Sequence, residues 1–592
     1  MAQHQIKATG ELRKAIFKSK ISFFMTGFFS LFINILMLVS PFYMLQLYDR
    51  VMGSRSEETL IMLTGLVIVL FITMAILEMV RSRILVRIGN KMDALLSQRV
   101  FDSLFDLAQK HPGKASSMPM SDLTQIRQFM TGNGLFAFFD VPWIPIYIWV
   151  LFLFHPDFGY FAIFAAMVLV FISMINNFAT KRKLKEANEA SADAMRYINT
   201  NLKNAEVIHA MGMKSNIQKI WQDKHYNFLL AQSKASDSAG VWANISKSTR
   251  MMFQSLMLGL GGYLAIEGEV SSGMMIAGSI TMGRALAPLD LMINSWKGFA
   301  NARGAYGRLN ELLNEFPKDK EYMELPAPKG VITLEQIVVV PPGAKEPSIR
   351  GISLAIEKGD VVGIIGPSAA GKSSLARAIL GLWPLRNGKV RLDGADISQW
   401  DKVKLGKYIG YLPQDIELFE GTVSQNIARF NEVDAIKVVE AAQKAGIHEM
   451  ILKLPEGYDT KIGVGGATLS GGQRQRVGIA RAIYNNPVII VLDEPNSNLD
   501  DVGEKNLAQT VNIMKQQGTT VIIITHRPTI LQATNKLLMM KQGLVELYGN
   551  SNDVLAKLRG QQPAQPQKPA QPAQTQTARP TMPKISLSKP ST

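Results

Sequence analysis

The fold of the C-terminal half is decided by Leu469-Ser470-Gly471-Gly472-Gln473 and by the apolar run 488–492 that follows it and ends in Asp493-Glu494. Upstream of both stands Gly366-Pro367-Ser368-Ala369-Ala370-Gly371-Lys372-Ser373, a complete G-x-x-x-x-G-K-[ST] phosphate loop. This loop follows an apolar stretch, 361–365, and precedes a helical pattern over 374–382. The order strand, loop, helix predicts a P-loop α/β domain that binds the phosphates of a nucleotide.

The phosphate loop supplies backbone N–H groups that surround the phosphates at the N-terminus of a helix. We expect Lys372 to reach the β- and γ-phosphates and the Ser373 hydroxyl to bind Mg²⁺. The predicted nucleotide-binding residues are Gly366, Pro367, Ser368, Ala369, Ala370, Gly371, Lys372, Ser373 and Ser374.

Two acids at the end of the apolar run predict the catalytic centre. Asp493 ends the predicted strand, where its carboxylate can hold Mg²⁺ directly or through water, and Glu494 is the candidate general base for the attacking water. Gln414 is expected at the metal or at the lytic water, and His526 at the γ-phosphate.

The signature residues Ser470, Gly471, Gly472 and Gln473 offer a hydroxyl and open backbone N–H groups at the start of a helix, which is a second anion site. Within its own subunit this element cannot also lie on the phosphate that Lys372 holds. The chain has one phosphate loop and one signature, so two copies are expected to close around two ATP molecules as a homodimer.

Composition indicates a membrane part joined to a soluble part. Only 19% of the 592 residues are charged and the mean hydropathy is +0.08. The absence of cysteine excludes disulfides, cysteine-ligated metals and a cysteine-protease domain. The net charge of +16 fits nucleic acid binding or basic cytoplasmic loops, and the loop pattern favours the second explanation.

Six apolar stretches are candidate membrane spans, since a bilayer needs ~20 apolar residues. Four are strong and two, 253–266 and 273–293, are weaker, because the first is short and glycine-rich and the second carries Arg284 and Asp290. The four strong candidates are 21–44, 60–80, 135–154 and 158–176. Residues 1–20 and the long connection 81–134 are rich in Lys and Arg, which places both on the cytoplasmic side.

The domain order follows from these patterns. We predict a cytoplasmic segment 1–20, a six-helix transmembrane domain 21–315 whose long cytoplasmic loops extend the spans as helices, a linker 316–330, a nucleotide-binding domain 331–558 and a disordered tail 559–592. The tail is rich in Pro, Gln and Ala and cannot bury a core.

These residues together resemble the ATP-binding-cassette (ABC) exporters over about 21–558, and the LSGGQ element is typical of their ATPases. The membrane half resembles the type I secretion permease/ATPases at Tyr43-Met44-Leu45-Gln46-Leu47-Tyr48-Asp49-Arg50 and at Asp140-Val141-Pro142-Trp143. Pro495-Asn496-Ser497-Asn498 resembles the ATPases of the same branch, which exports RTX proteases and lipases.

This resemblance implies a fold of six-span helical transmembrane domain plus α/β P-loop ATPase, with ATP and Mg²⁺ as cofactors. It implies a multi-pass protein of the bacterial inner membrane, with the ATPase domain and both termini cytoplasmic. Implied partners are a second copy, membrane lipid, a periplasmic adaptor, an outer-membrane channel and an unfolded secreted protein with a C-terminal signal. No nucleic acid partner is expected.

Two other functions remain open from the residues. An exporter of lipid or small hydrophobic molecules has the same ATPase motifs and differs only in the membrane half. A soluble nucleic-acid-associated cassette ATPase has no long apolar spans, so this chain fits it poorly. The chain departs from related exporters at the position that contacts the nucleotide base. Those exporters stack adenine on an aromatic residue, whereas Val340 and its neighbours are aliphatic. This difference predicts loose selectivity for the nucleotide base.

Charged residues within the predicted spans are costly and tend to face a cavity or to pair. These residues are Glu78, Asp140, Arg284 and Asp290. We hypothesise that Arg284 and Asp290 face the translocation path. The alternative is an interfacial position or a structural ion pair.

Overall fold

A computed structural model describes residues 10–111, 116–202, 204–317, 324–466 and 468–560. The chain divides into two compact units, Met1–Glu321 and Tyr322–Thr592, and the division falls inside the segment 316–330. The described part of the first unit is helical, and that of the second combines helices with three sheets. The tail predicted to be disordered lies outside the described residues, apart from the end of the last helix.

The described part of the first unit has four helices of 44 residues or more, and a short π-helix, Leu47–Val51, follows α3. Their bounds are α1 (Glu11–Phe17), α2 (Lys20–Leu36), α3 (Val39–Gln46), α4 (Met52–Ser54), α5 (Glu57–Lys110), α6 (Met118–Thr131), α7 (Asn133–Asp140), α8 (Ile144–Phe154), α9 (Pro156–Leu202), α10 (Ala205–Ala210), α11 (Lys214–Ile266) and α12 (Ser272–Glu315).

Five helical segments in the described residues are long and apolar enough to cross a membrane. They are Lys20–Ser54, Glu57–Lys110, Gly134–Phe154, Pro156–Leu202 and Ser272–Glu315. The weak candidate 253–266 forms the end of α11 and is not among them, because glycines, Arg250 and Gln254 dilute its apolar residues. That segment is nevertheless packed, since Phe253, Met257 and Leu264 are buried against α9 and α12.

The long connections continue the spans as helices, as predicted. Helices α5, α9 and α11 contain 54, 47 and 53 residues. At 1.5 Å per residue each is roughly 70–80 Å long, more than twice the ~30 Å of a hydrocarbon core. In each of these helices the apolar segment and the polar connection therefore form one continuous α-helix.

The third span is interrupted where its prolines stand. Helix α7 ends at Asp140, a 3₁₀ turn covers Val141–Trp143, and α8 resumes at Ile144. Proline has no backbone donor, so Pro142 and Pro145 cannot complete an α-helical ladder through this region.

Asp140 lies in a buried polar cluster beside that interruption. Its Oδ1 accepts hydrogen bonds from Arg81 Nη1 at 2.8 Å and from Asn34 Nδ2 at 3.0 Å. The Tyr147 hydroxyl donates to the carbonyl oxygen and to Oδ1 of Asn34, both at 2.9 Å. The charge at Asp140 is therefore balanced by an arginine from α5, in keeping with the high cost of an unpaired ion in this environment.

The two residues hypothesised to face the translocation path, Arg284 and Asp290, have different surroundings. Asp290 is paired with Arg250 of α11, and the Ser246 hydroxyl donates to its Oδ1 at 2.7 Å. This arrangement is the structural ion pair named as the alternative, so the geometry favours it over a path-facing role for Asp290. Arg284 is exposed on α12, and Glu78 is half-buried on α5.

The second unit contains all the described strands. They are β1 (Ile332–Val339), β2 (Ile349–Ile356), β3 (Val361–Ile365), β4 (Leu385–Leu392), β5 (Ala395–Asp396), β6 (Ile409–Leu412), β7 (Gly421–Thr422), β8 (Lys461–Ile462), β9 (Ile489–Asp493), β10 (Thr520–Ile524), β11 (Lys536–Lys541) and β12 (Leu544–Asn550). Its helices are α13 (Lys372–Ile379), α14 (Lys402–Leu405), α15 (Val423–Ile427), α16 (Ala435–Lys444), α17 (His448–Leu452), α18 (Gly471–Ile483), α19 (Asp501–Gln516), α20 (Pro528–Leu531) and α21 (Ser551–Gly560).

The central sheet has six strands in the order β12-β11-β3-β10-β9-β6. All neighbours are parallel except β12, which runs antiparallel to β11. The carboxyl ends of β3, β6, β9 and β10 consequently meet at one edge of the sheet. That edge is where a ligand is expected in an open α/β sheet.

Strands β9 and β10 are buried over all their residues, and β3 over four of its five, because the sheet is covered on both faces. Alternate residues belong to different cores: Val362, Val491 and Ile522 pack with the antiparallel sheet, while Ile490 and Val521 pack with the helices. The antiparallel sheet, in the order β2-β1-β4-β5, was not predicted as a separate layer.

Candidate nucleotide site

The phosphate loop connects β3 to α13, and two of its glycines have backbone conformations that a side chain would prevent. Gly366 has φ +147°, and a Cβ there would lie 2.2 Å from the Met540 carbonyl oxygen. Gly371 has φ +96°, and its Cβ would lie 2.6 Å from the Ser348 carbonyl oxygen. The loop can therefore lie against neighbouring backbone only with glycine at both positions.

Lys372 is the first residue of α13, and its side chain is hydrogen-bonded to the phosphate loop. Its Nζ donates to the carbonyl oxygens of Gly366 at 2.7 Å and Pro367 at 3.1 Å. Burial lowers the pKa of Lys372, although the charges of Glu494 and Asp493 act in the opposite direction. The ammonium is thus folded over the loop, and its contact with the β- and γ-phosphates stays a prediction.

Asp493 and Ser373 form a pair suited to a hard cation. The Ser373 hydroxyl donates to Asp493 Oδ1 at 3.1 Å, and Asp493 is fully buried. The other carboxylate oxygen, Oδ2, is buried without a hydrogen-bond partner, which is unusual in a native protein. A cation bound by carboxylate and hydroxyl oxygens would satisfy that atom, so the residues fit Mg²⁺.

Burial raises the pKa of the Asp493 carboxyl, and the neighbouring Glu494 charge adds to the effect. The Ser373 hydrogen bond and the charges of Arg377 and Lys372 oppose it. Desolvation is the largest cause, because the carboxylate has lost its water and has gained only one hydrogen bond. A bound cation would reverse this balance.

Glu494 follows directly in a conformation that is costly for a residue with a side chain. Its φ is +51°, and its N–H donates to the Ile524 carbonyl oxygen at 3.0 Å. The Glu494 Oε2 atom accepts a hydrogen bond from Gln414 Nε2 at 3.2 Å. Such strain persists where the surrounding structure holds it, often at functional sites.

Gln414 and His526 both follow strands that end at this edge, two residues after β6 and β10 respectively. Gln414 is brought into contact with Glu494, as the prediction of a shared site requires. His526 is exposed and makes no side-chain hydrogen bond within the described residues. The structure thus joins Ser373 to Asp493 and Gln414 to Glu494. The Lys372 side chain bonds the carbonyls of its own loop, and His526 lies after a strand that ends at the same edge.

The signature residues form the N-terminus of α18. The Ser470 hydroxyl accepts from the Gln473 N–H at 3.3 Å, and Gln473 Oε1 accepts from the Ser470 N–H at 2.8 Å, which is a capping box. A Cβ at Gly472 would lie 2.8 Å from the Asn498 carbonyl oxygen. No hydrogen bond within the described residues joins Ser470–Gln473 to the phosphate loop.

Gln475 is a buried polar residue beside the candidate site that the motifs did not single out. It is fully buried on α18, where its Nε2 donates to the Glu494 carbonyl oxygen and to the Ser497 hydroxyl, both at 3.3 Å. Its Oε1 accepts from the Asn498 N–H at 2.7 Å. The helix that carries the signature is thereby attached to the segment after the candidate base. A polar residue among the apolar positions of α18 was the available signal.

The position that should stack on adenine lies in the coil after β1. Val340 is half-buried there, and the neighbouring turn contains Pro341, whose carbonyl oxygen accepts from Ala344 N–H at 3.0 Å. No aromatic residue occupies 337–344. The expectation of loose base selectivity stays a prediction.

Comparisons with known proteins agree with this architecture in both units. The model of the ABC transporter family matches residues 349–497, and that of the ABC transporter transmembrane region matches 23–285. A solved bacterial Atm1-family ABC exporter with ATP bound is similar with a TM-score of 0.79 over 92% of this chain and 99% of that chain, at 21% identity. The fold is that of an ABC exporter.

Among ABC exporters, similar curated proteins include ATP-binding proteins of secretion and translocation systems. The type I secretion system ATP-binding protein PrsD of Rhizobium meliloti (strain 1021) is 42% identical over 547 residues, covering 92% of this chain and 94% of PrsD. The α-hemolysin translocation ATP-binding protein HlyB of Escherichia coli is 29% identical over 569 residues, covering 93% and 80%. The leukotoxin translocation ATP-binding protein LktB of Mannheimia haemolytica is 28% identical over 553 residues, covering 92% and 78%.

The chain belongs to the family of type I secretion ATP-binding proteins, within the ABC transporters. It is an ATP-binding ATPase and a multi-pass membrane protein.

Proposed function

We propose that this protein uses ATP hydrolysis to export unfolded proteins with C-terminal signals from a Gram-negative-type cell. The observation that carries the proposal is that similarity to a type I secretion ATP-binding protein runs through both halves, at 42% identity over 547 residues. The membrane half is what separates protein export from export of lipid or small molecules, because all these exporters share the ATPase motifs.

At the nucleotide site, Glu494 acts as general base toward the attacking water. Its carboxylate is oriented by Gln414, which donates to it at 3.2 Å. Lys372 neutralises charge on the β- and γ-phosphates, the phosphate loop holds them with backbone N–H groups, and His526 bonds the γ-phosphate. Ser373, Asp493 and Gln414 would hold Mg²⁺, which would neutralise charge on the phosphates as the γ-phosphoryl group is transferred to water.

The active unit in this proposal is a homodimer in the bacterial inner membrane, with the ATPase domain and both termini in the cytoplasm. Each signature, Ser470–Gln473, binds the nucleotide held by the partner's phosphate loop. A periplasmic adaptor and an outer-membrane channel complete the route across the envelope. The excess of Lys and Arg then serves membrane orientation and needs no nucleic acid.

The test is secretion of a reporter fused to the C-terminal segment of an RTX-type protein. Cells express this chain with an adaptor and an outer-membrane channel, and a parallel strain carries Glu494→Gln. Reporter in the medium only with the intact glutamate is the expected result. Good expression and measurable ATPase activity without export in any adaptor and channel combination would contradict protein export and favour the exporter of lipid or small hydrophobic molecules.

A further inference from the structure

Arg429 lies two residues after α15, and within the described residues its guanidinium donates only to backbone carbonyl oxygens. The acceptors are Arg481 (2.9 Å, from Nε), Gly406 and Ile409 (2.8 and 2.9 Å, from Nη1), and Ala482 and Tyr484 (2.9 and 3.5 Å, from Nη2). A guanidinium has five N–H donors, so all of them have acceptors. An arginine that binds five carbonyls and no carboxylate is a connector of backbone segments.

The five carbonyls belong to two elements of the nucleotide site. Three lie at or just beyond the C-terminus of α18, where helix carbonyls lack partners and carry partial negative charge. The other two lie just before β6 and at its first residue. One cation thus satisfies the end of the signature helix and joins it to the strand that leads to Gln414.

The backbone around Arg429 is strained in a way that serves this contact. Arg429 and Phe430 have φ +58° and +57°, so two consecutive residues with side chains occupy the left-handed region. This conformation is unfavourable for residues with a Cβ, which approaches the following carbonyl oxygen too closely. The Phe430 N–H donates to the Gln425 carbonyl oxygen at 2.9 Å and ends α15 abruptly. The turn directs Arg429 back toward α18 and β6.

Small rotations at this point have large effects at the signature. Helix α18 has 13 residues, so its two ends are about 20 Å apart at 1.5 Å per residue. A tilt of about 3° at the end that Arg429 holds moves Ser470 by about 1 Å, and a misplacement of that size in a catalytic site can cost about 100-fold in rate.

We propose that Arg429 is a positioning residue for ATP hydrolysis, which fixes the signature helix against strand β6 so that Gln414 and Ser470–Gln473 move as one body. This inference rests on the proposed roles of Gln414 and the signature. Within the described residues the Arg429 guanidinium makes no hydrogen bond to the phosphate loop, so it acts through Gln414 and the signature.

The test measures ATP turnover by the full chain in lipid nanodiscs. Arg429→Met removes all five hydrogen bonds, and Arg429→Lys keeps the charge but has only three donors on one atom. Arg391→Met is the matched control, since it breaks a surface ion pair with Glu335 at 2.7 Å in the same domain. The quantities are kcat and KM for ATP, the Kd of a fluorescent ATP analogue, and the thermal unfolding midpoint.

We expect R429M to lower kcat about 10- to 100-fold with KM and analogue Kd unchanged, R429K to be intermediate, and R391M to match the wild type. Equal kcat values for R429M and R391M would overturn the proposal. A parallel loss of kcat, analogue binding and unfolding midpoint would also overturn it, because that pattern indicates a merely structural role.

If R429M does not fold, R429K decides: reduced kcat at unchanged KM and unfolding midpoint supports positioning, and unchanged kcat refutes it. The readout does not depend on cargo. A wild type that hydrolyses ATP but exports nothing would contradict the proposed function without altering this result.

Discussion

Glu494 has a strained backbone, and within the described residues its carboxylate accepts one hydrogen bond, from Gln414. We expect Glu494→Gln to lower kcat for ATP hydrolysis by about 10²–10⁴, the usual contribution of a general base, while ATP still binds. Phosphate release and equilibrium binding of labelled ATP would measure the two effects. Glu449→Gln changes an exposed acid of α17 and serves as control. Hydrolysis by E494Q at the wild-type rate would remove Glu494 from the mechanism.

Asp493 gives a prediction about pH, because burial raises its pKa. The folded apoprotein therefore holds the Asp493 proton more tightly than the unfolded chain, and stability is lost as pH rises through the raised pKa. Asp493→Asn cannot ionise. Without Mg²⁺, it should unfold at a higher temperature than the wild type near neutral pH, and the difference should shrink as the pH falls below that pKa.

Thermal unfolding of both proteins at several pH values, followed by tryptophan fluorescence in detergent, measures this difference. Mg²⁺ should stabilise the wild type and leave D493N unchanged, because the cation binds the ionised carboxylate. A pH-independent difference, or a less stable apo D493N, would show that desolvation of Asp493 does not govern the stability of the site.

At the scale of elements, α18 is attached to the segment 494–498 by Gln475. Gln475→Met keeps most of the volume but removes the side-chain acceptor of the Asn498 N–H, at a cost of about 1 kcal/mol. We expect reduced stability together with a lower kcat, because the carbonyl of Glu494 loses its donor. Gln443→Met on the exposed face of α16 is the control. Unfolding free energy and turnover in the same preparations would test whether the two losses occur together.

At the scale of the whole molecule, a homodimer with shared sites predicts complementation. Lys372→Ala removes the phosphate-loop cation, and Ser470→Asp keeps a good helix cap but repels phosphate. Each variant alone should be inactive. Co-expressed, they form mixed dimers in which one site has an intact phosphate loop from one copy and an intact signature from the other.

We therefore expect ATPase activity to return in doubly tagged, tandem-purified mixed dimers. No return of activity in verified mixed dimers would contradict a signature that acts on the partner's nucleotide, since a signature acting within its own chain has no intact site in either copy. Wild type mixed with S470D is the positive control for assembly.

Much of the ATPase could be predicted from local sequence. Apolar runs ending in Asp493 and near Gly366 predicted the strands on either side of the site, because buried parallel strands are continuous apolar segments with polar residues at their ends. The antiparallel sheet was not predicted as a separate layer. Its strand β1 pairs with β2 across 10 to 24 residues of chain and with β4 across 46 to 60, and no local pattern encodes the second pairing.

In the membrane unit, too, local sequence predicts some features and tertiary packing decides others. Segment boundaries and the interruption at Pro142 follow from composition and from proline's missing donor. Composition does not predict which charged residues pair. Asp140 pairs with Arg81 and Asp290 with Arg250, across 59 and 40 residues of chain. Helix packing decides these partners, and for Asp290 it gives the structural ion pair that was the alternative to a position facing the translocation path.

The sequence by itself determined the chemistry of this protein, because a phosphate loop, a signature and an acidic strand end are short segments whose function depends on residue type and spacing. Only the tertiary structure decided what holds those segments in place. Gln475 and Arg429 are ordinary polar residues along the chain, and they become connectors because folding brings distant backbone groups within hydrogen-bond distance and excludes the water that would otherwise satisfy them.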